Sequence, residues 1–564
     1  MTSVSSTASL LTASTSTNSS SSVSTSTSDI DWDGLIEEAV AAKLAKADTI
    51  DLKITANEAK SAAYQSMSTL LTAIRDAAQT LRAPSGSSLA STDVFNARSA
   101  YLTTTGSTDA GSTLSATVES GAETGSYELT VSQLAKAHKV VGTTVSSKSS
   151  ELGYAGTFTI GVDAAAVEVE ITDDMSLAEI AEAINATTET SGVKASVLQV
   201  SSSGFRLVLT GASVGTTITA TAGSGDDVLT SLGIRDADGA FQEVLQEPAL
   251  AIFEIDGIEI TRASNDIDDV IEGVTLHLYQ VTSDDTAITV EIGTDLSAVK
   301  EQVVALVDAY NAYRDFAYAQ QQLPADDNED TTVLFGDGTL RNINTALANA
   351  LGSSQGKQSL ALLGITFDST NHLELDEDVL DTALLDDVAA IQKLLAFQMT
   401  SSESDLLLLA RGTNVPADFT LDIVTDSSGA VTSASVDGNS ALFTINGTRI
   451  TGKAGTAYEG FTFVYAGSDS KSVDISFSTG IAELLYNISD AATDAESGTL
   501  TSLIDNLADA DDRLSAKSDD IRTAAETYRT NLTQRYASYQ AAISQAESLQ
   551  DYLTTLLDSW NSSS

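Results

Sequence analysis

The chain has 564 residues and carries 28 Lys and Arg against 79 Asp and Glu, a formal net charge of −51 that repels nucleic-acid phosphate and anionic membrane surfaces. It has no Cys, which excludes disulfides, thiolate metal sites and Cys nucleophiles, and its three His (His138, His277, His372) lie too far apart in sequence to suggest a His-based centre. Its 42% hydrophobic content is too high for a wholly disordered chain, and at roughly 150 residues per domain the length suggests about three or four domains.

Residues 1–28 hold 20 Ser or Thr and no charge. Such a tract buries too little apolar surface to offset its ordering entropy and reads as a disordered tail. It lacks the basic and apolar regions of a Sec-type signal peptide. No stretch of the chain approaches the roughly 18 apolar residues needed to cross a bilayer, so no membrane insertion is expected.

From Asp31 the pattern becomes helical. Ser28 and Asp29 offer N-cap oxygens, and Asp31, Asp33, Glu37 and Glu38 put negative charge at a helix start. Apolar residues recur at Ile36, Val40, Leu44, Ala47, Ile50 and Ile54, then at Tyr64, Met67, Leu70, Leu71, Ile74 and Leu81, and Pro84 ends the run. That predicts about 50 residues of helix with few large apolar side chains, which needs a partner to be stable.

The middle of the chain alternates as strands do: Tyr127–Val131, Phe158–Ile160, Val167–Ile171, Lys194–Val200 and Phe205–Thr210. A short helix at Ser176–Ile184 starts with a capping box, Ser176 and Glu179. Phe253–Thr261 is then echoed by Phe443–Thr451, each with an Asp-Gly or Asn-Gly pair between alternating residues, a strong hairpin signal. The echo continues in Ile271–Leu276 with Tyr458–Phe463 and in Ala287–Ile292 with Ser472–Phe477, and a helix follows each copy. Two related β-units, a duplicated scaffold piece, are expected. Between them, Leu296–Arg314 and Leu340–Leu351 read as amphipathic helices, 324–330 as an exposed acidic loop, Gly364–Phe367 with Leu373–Leu375 as a strand pair, and Val379–Leu395 as a helix.

From Leu503 to Trp560 there is no Pro and no Gly. Two seven-residue series interleave there: Ala525, Leu532, Tyr539, Ala546, Leu553, Trp560 and Ile521, Tyr528, Arg535, Ala542, Leu549, Leu556. Their offsets of three and four residues make the seam of a coiled coil, with Arg535 the one misfit. This helix is the natural partner of the N-terminal one. The expected fold class is therefore α+β, with helical or coiled-coil legs formed by both chain ends and β-rich domains inserted between them. The expected divisions are a tail at 1–28, N-terminal leg helices at 29–85 pairing with 495–564, β-rich head domains at 86–270 and an α+β connecting domain at 271–400. A second β-unit at 401–480 and C-terminal leg helices at 481–564 complete the chain.

Candidate chemistry is sparse. Asp29, Asp31, Asp33 and Gly34 match the opening of an EF-hand loop, but Val40 stands where the bidentate Glu belongs, and helix N-terminal acids explain the cluster. There is no Walker A sequence, no strand–GxGxxG–helix unit and no HExxH. Among 79 carboxylates no glycosidase pair can be singled out. No catalytic, cofactor or metal residue is assigned, and the chain is read as a non-enzyme.

The ends carry a family resemblance. Asp29–Val40, with Asp31, Trp32, Asp33-Gly34 and Leu35-Ile36 at its centre, resembles the N-terminal signature of the flagellar filament cap proteins, also called hook-associated protein 2 or FliD. Val94–Ser99, Gly125–Ala135, Asn265–Leu276, Val307–Asn311, Gly338–Arg341, Leu362–Thr366 and Leu373–Asp376 continue the match in the family's order. Residues 175–220 resemble the small β-unit that recurs in flagellins and hook-associated proteins. Two features depart from the pattern: the Ser/Thr tail is longer, and the second β-unit stands where many relatives run directly to the C-terminal helix.

The resemblance implies a secreted, structural protein at the distal tip of the bacterial flagellar filament. It implies type III export without a cleaved signal, help from an export chaperone, and a ring-like homo-oligomer, often a pentamer. Flagellin and the filament tip subunits would be its partners, and it would help flagellin fold and stop it leaking. The leg residues expected to make assembly contacts are Asp31, Trp32, Leu35, Ile36, Val40 and Leu44 at one end and Leu532, Tyr539, Leu549, Leu553, Leu556 and Trp560 at the other. Trp32–Leu44 are expected to pack with Leu549–Trp560, partly within the chain and partly against filament subunits. A hook–filament junction protein, a flagellin or a tip adhesin are the alternatives the sequence leaves open.

Overall fold

The computed structural model describes residues 31–83, 93–322 and 332–561, apart from 107, 284, 355–357, 413–415 and 417. The expected tail, Ser28 and Asp29, the Pro84 stop and the acidic loop at 324–330 lie outside the described residues. The chain divides into two compact units, 1–66 with 324–334 and 499–564, and 67–323 with 335–498. The first helix, α1 (Trp32–Leu81), crosses that division.

In the larger unit, strands β1 (Arg98–Thr104), β2 (Leu114–Val118) and β3 (Gly125–Gln133) begin a β-domain. The chain then leaves for an inserted module: β4 (Lys139–Val141), β5 (Gly156–Val162), β6 (Val167–Ile171), helix α2 (Leu177–Asn185), β7 (Val193–Ser201), β8 (Gly204–Gly211), β9 (Ile218–Gly225) and β10 (Val244–Gln246). Its two sheets, ordered β10-β4-β8-β7 and β6-β5-β9, share a core with α2 built on Phe158, Ile160, Ile180, Ile184 and Leu209. The capping box forms: Ser176 Oγ accepts from the Glu179 N–H, and the Glu179 carboxylate accepts from the Ser176 N–H at 2.8 Å. His138 is buried here. Its Nδ1 accepts the Ile218 N–H at 2.9 Å and its ring meets Phe241 edge-on.

The chain returns to the β-domain through β11 (Ala251–Ile255), β12 (Ile258–Arg262), β13 (Asp266–Ile271), β14 (Val274–Leu278) and β15 (Ile288–Thr294). The sheets are ordered β1-β15-β3-β11-β12 and β13-β14-β2, all antiparallel. β14 and β15 pair with strands from the start of the domain, so this fold runs across residue 270, where the sequence pattern suggested a border. Asp256 (φ 49°) and Gly257 (φ 76°) both adopt the left-handed conformation in the β11–β12 hairpin, the geometry that matches strand twist and favours Asp-Gly there.

Helices α3 (Leu296–Gln321), α4 (Gly338–Leu351) and α5 (Glu377–Leu395) follow, with the hairpin β16 (Ile365–Phe367) and β17 (Leu373–Leu375) between the last two. Asp295, Asp337 and Asp376 cap the three helices through backbone N–H bonds. The second β-unit consists of β18 (Gln398–Ser401), β19 (Leu406–Ala410), β20 (Phe419–Thr425), β21 (Val431–Ser435), β22 (Phe443–Asn446), β23 (Arg449–Gly452), β24 (Thr462–Tyr465) and β25 (Lys471–Ser478). They form sheets ordered β18-β25-β20-β21 and β19-β24-β23-β22 around an aromatic core containing Phe443, Phe461, Phe463 and Tyr465. Helix α6 (Ile481–Thr493) follows.

Each β-domain therefore has eight strands in chain order, counting β1–β3 with β11–β15 as the first set. In both, strand one pairs with strand eight, eight with three, three with four, two with seven, and six with seven. Only strand five differs: β12 pairs with β11, whereas β22 pairs with β23. The duplication thus extends well beyond the echoed residues. The two echoed hairpins, however, occupy strands four and five in the first copy and five and six in the second. An Asp-Gly or Asn-Gly turn is a local signal that any hairpin can carry, so it does not fix a strand's place in the sheet.

The smaller unit contains α1 up to Ser66 and the last helix, α7 (Thr499–Asn561, 63 residues).

Candidate assembly interface

Within this unit α1 and α7 run antiparallel as a two-helix leg. Asp31 opens it: its Oδ1 accepts the Gly34 N–H at 2.8 Å, satisfying one of the free donors of the first turn. A Cβ at Gly34 would come within 2.4 Å of that carboxylate, so any larger residue there would make the Asp31 side chain shift. Ile36 and Val40, one turn apart, face Ala525 and Leu532, seven apart, and these four form a small buried cluster flanked by Leu44, Tyr528 and Tyr536. Trp32 stacks at a tilt on Tyr536, ring centroids 5.1 Å apart, and the Lys43 ammonium lies 4.5 Å above the Tyr528 ring.

Polar pairs fix the register on either side of the seam. Arg529 donates two hydrogen bonds to the Glu37 carboxylate at 2.6 and 3.0 Å. Ser518 donates to Asp51 at 2.7 Å, Arg522 bonds the same carboxylate, and Asn57 donates to Asp511 at 2.7 Å. The Ser518 hydroxyl and then Arg522 hold the Asp51 carboxyl below the usual carboxylate range. These partners were not singled out in the sequence. The signal that finds them is the spacing of Arg522 and Arg529, seven residues apart beside the apolar seam, where coiled coils place their interhelical charges.

Of the residues expected to make leg contacts, the structure brings Trp32, Ile36, Val40, Leu44 and Leu532 together. Leu35 faces solvent. Trp32–Leu44 do not meet Leu549–Trp560 within the chain, because the register that sets Trp32 beside Tyr536 leaves α7 running on for about 25 residues, roughly 38 Å at 1.5 Å per residue. Over that length the seam side chains are exposed: Tyr539 by 43%, Leu549 by 56%, Leu553 by 55%, Leu556 by 41% and Trp560 by 74%. Leu549, Tyr552, Leu553, Leu556 and Trp560 recur at three- and four-residue spacing, one apolar stripe on a helix face. Arg535, the misfit in the heptads, is exposed, and its Nε donates to the Tyr539 hydroxyl at 2.9 Å.

Residues 249–548 match the family of the flagellar hook-associated protein 2 C-terminus, 28–138 that of its N-terminus, and 153–213 the flagellin hook IN motif. The chain belongs to the flagellar hook-associated protein 2 family. Among curated family members, flagellar hook-associated protein 2 of Escherichia coli K12 is 30% identical over 388 residues, covering 65% of this chain and 78% of that protein. The B-type protein of Pseudomonas aeruginosa PAO1 is 27% identical, covering 53% of this chain and 67% of that protein. The Salmonella typhimurium protein is 33% identical, covering 39% and 49%. The matched stretches thus span from about half to about four-fifths of these relatives' own lengths. A crystal structure of the flagellar cap protein FliD domains D1-D2-D3 from E. coli aligns at 29% identity and a TM-score of 0.42, over 59% of this chain and 89% of that one. The hook-associated protein 2 C-terminal match ends at 548, one residue before the exposed stripe of α7 begins.

Proposed function

We propose that this chain is the structural cap at the distal tip of the bacterial flagellar filament, where it promotes folding and polymerisation of exported flagellin and stops its loss to the medium. Membership of the hook-associated protein 2 family carries this reading, and it favours the cap over a junction protein or a tip adhesin. The role is mechanical rather than catalytic.

The leg geometry supports a division of labour. The short buried seam between α1 and α7, together with the polar pairs beside it, sets the leg's register, and the apolar stripe beyond Tyr536 docks on filament subunits. A contiguous apolar face on a chain this acidic is held at the surface for a partner, since burial on assembly is what stabilises it. The cap works as a homo-oligomer, with five subunits as the proposed number, and is held by an export chaperone before secretion. The two β-domains and the inserted module form the head, and the second β-unit is an added head module.

The test is complementation of a cap-deletion strain with this chain and its matching flagellin, scoring filament length and flagellin released to the medium. Restored filaments with little free flagellin are expected. Continued leakage from cells that export a folded chain would overturn the cap reading.

A further inference from the structure

One cleft in the larger unit has a lining at odds with the chain's charge. It lies between α3, α4 and the β16–β17 turn, has a volume of about 320 Å³, and is lined by Tyr313 and Arg314 from α3, Arg341, Asn344 and Asn349 from α4, and Asn371 from the turn. Among the described residues no Asp or Glu lines it, although acids outnumber bases 79 to 28 in the chain.

Its cations have no carboxylate partner among the described residues, although Arg314 also lies 6.0 Å over the Tyr318 ring. Arg314 spends its Nε on the Thr370 carbonyl at 2.9 Å and Arg341 one Nη on the Gly336 carbonyl at 3.1 Å, and among the described residues neither forms an ion pair. Two carboxylates close in sequence to the lining residues are engaged with other groups. Asp368 accepts from Thr370 and the His372 N–H, and Asp315 contacts His372 Nε2 at 2.9 Å. Asn344 is held by the Tyr313 hydroxyl, which donates to its Oδ1 at 2.8 Å; burial pushes the Tyr313 pKa upward, so it remains a donor at neutral pH. That leaves the buried Asn344 Nδ2 with no hydrogen-bond partner, a costly state for an amide donor.

Two arginines and an asparagine whose amide nitrogen has no partner thus line one cleft. Guanidinium forks match a carboxylate in geometry and charge, and the amide adds a third donor. The space would hold about ten waters at about 30 Å³ each, more than a lone oxyanion fills. Side-chain amides at Asn349 and Asn371 can pair with a peptide backbone beside it. We propose that this cleft is a receptor for an acidic side chain, Glu or Asp, presented by an extended segment of a partner polypeptide. The inference stands on the cleft alone and does not depend on the filament-cap reading.

The test is calorimetric titration of the full chain with two blocked peptides, acetyl-Gly-Glu-Gly-amide and acetyl-Gly-Gln-Gly-amide, and with inorganic phosphate. Saturable binding of the Glu peptide is expected, at least tenfold tighter than the Gln peptide. It should fall at least tenfold in Arg341→Gln, an exposed change that spares the fold, and in Asn344→Asp, which keeps the acceptor for Tyr313 but places a carboxylate in the cleft. Equal binding of the two peptides, no binding of either, or unchanged affinity in both variants would overturn the proposal. Phosphate binding with no peptide binding would also overturn it and reassign the cleft to a free anion.

Discussion

Replacing Glu483 by Gln leaves two buried guanidinium groups without their shared counter-charge. Glu483 lies in the first turn of α6 and is 2% exposed. Its Oε2 sits 2.8 Å from Arg82 Nε, just past α1, and 2.7 Å from Arg411 Nη2, just past β19. Arg411 also donates to the Ala83 carbonyl at 3.0 Å and stacks 4.8 Å over Phe397, while Arg82 lies 3.6 Å over the Tyr486 ring. Three segments distant in sequence are tied at one point, where the second β-unit joins the helices. Burial lowers the Arg411 pKa to about 10, which still leaves it charged at neutral pH.

Removing one partner of a buried ion pair costs about 3–5 kcal/mol, because the remaining charges stay desolvated. At about 1.4 kcal/mol per factor of ten, local opening should become two to nearly four orders of magnitude more frequent. Hydrogen exchange read by mass spectrometry on peptides covering β18, β19 and α6 measures this directly. The triple variant Arg82→Met, Glu483→Leu, Arg411→Met should recover most of the loss, since apolar groups of similar volume often replace a buried ion network at little cost. Protection in Glu483→Gln within about 1 kcal/mol of the original chain would refute the reasoning.

Three further outcomes are expected. Leu532→Ala should loosen the leg by about 2 kcal/mol, the low end for a buried Leu because its cluster is small, and Trp32 fluorescence in a denaturant titration reports it. The inserted module should lose stability as pH falls below about 6.5, the usual His value. His138 is buried and neutral in the fold with its pKa lowered by burial, so the unfolded chain binds the extra proton, and among the described residues Glu247 opposes the shift. Module melting that stays level between pH 7.5 and 5.5 would contradict this. A small folded domain spliced between Ser427 and Ser428, in the turn between β20 and β21, should be tolerated, because the first β-domain carries its whole inserted module at the equivalent strand-three to strand-four connection. Lost exchange protection across β18–β25 would argue against the equivalence.

Much of this fold is legible in the sequence because its signals are local. The Ser176/Glu179 capping box, the Asp-Gly and Asn-Gly turns, the alternating strands and the apolar stripe of α1 each depend on residues within a few positions of one another. What escapes is long-range. Heptads mark a seam on α7, yet they cannot say how much of it α1 covers; that is decided by Glu37–Arg529 and Asp51–Arg522, pairs more than 450 residues apart. The same holds for Glu483, which looks like any helix N-terminal acid until Arg82 and Arg411 converge on it. His138 sits in a stretch rich in Ala and Lys that gives no hint of burial. The shared eight-strand order appears only once pairing is known, because the first copy's strands three and four are separated by the inserted module.

The central claim is that the exposed stripe of α7 docks on the filament. It is tested most directly by Leu553→Asp in the complemented cap-deletion strain. Leu553 is 55% exposed and lies beyond the α1 seam, so the β-domains and the leg register should keep their hydrogen-exchange protection. The account predicts export of a folded chain, no filament growth and flagellin free in the medium. Normal filaments from the Leu553→Asp chain would contradict it.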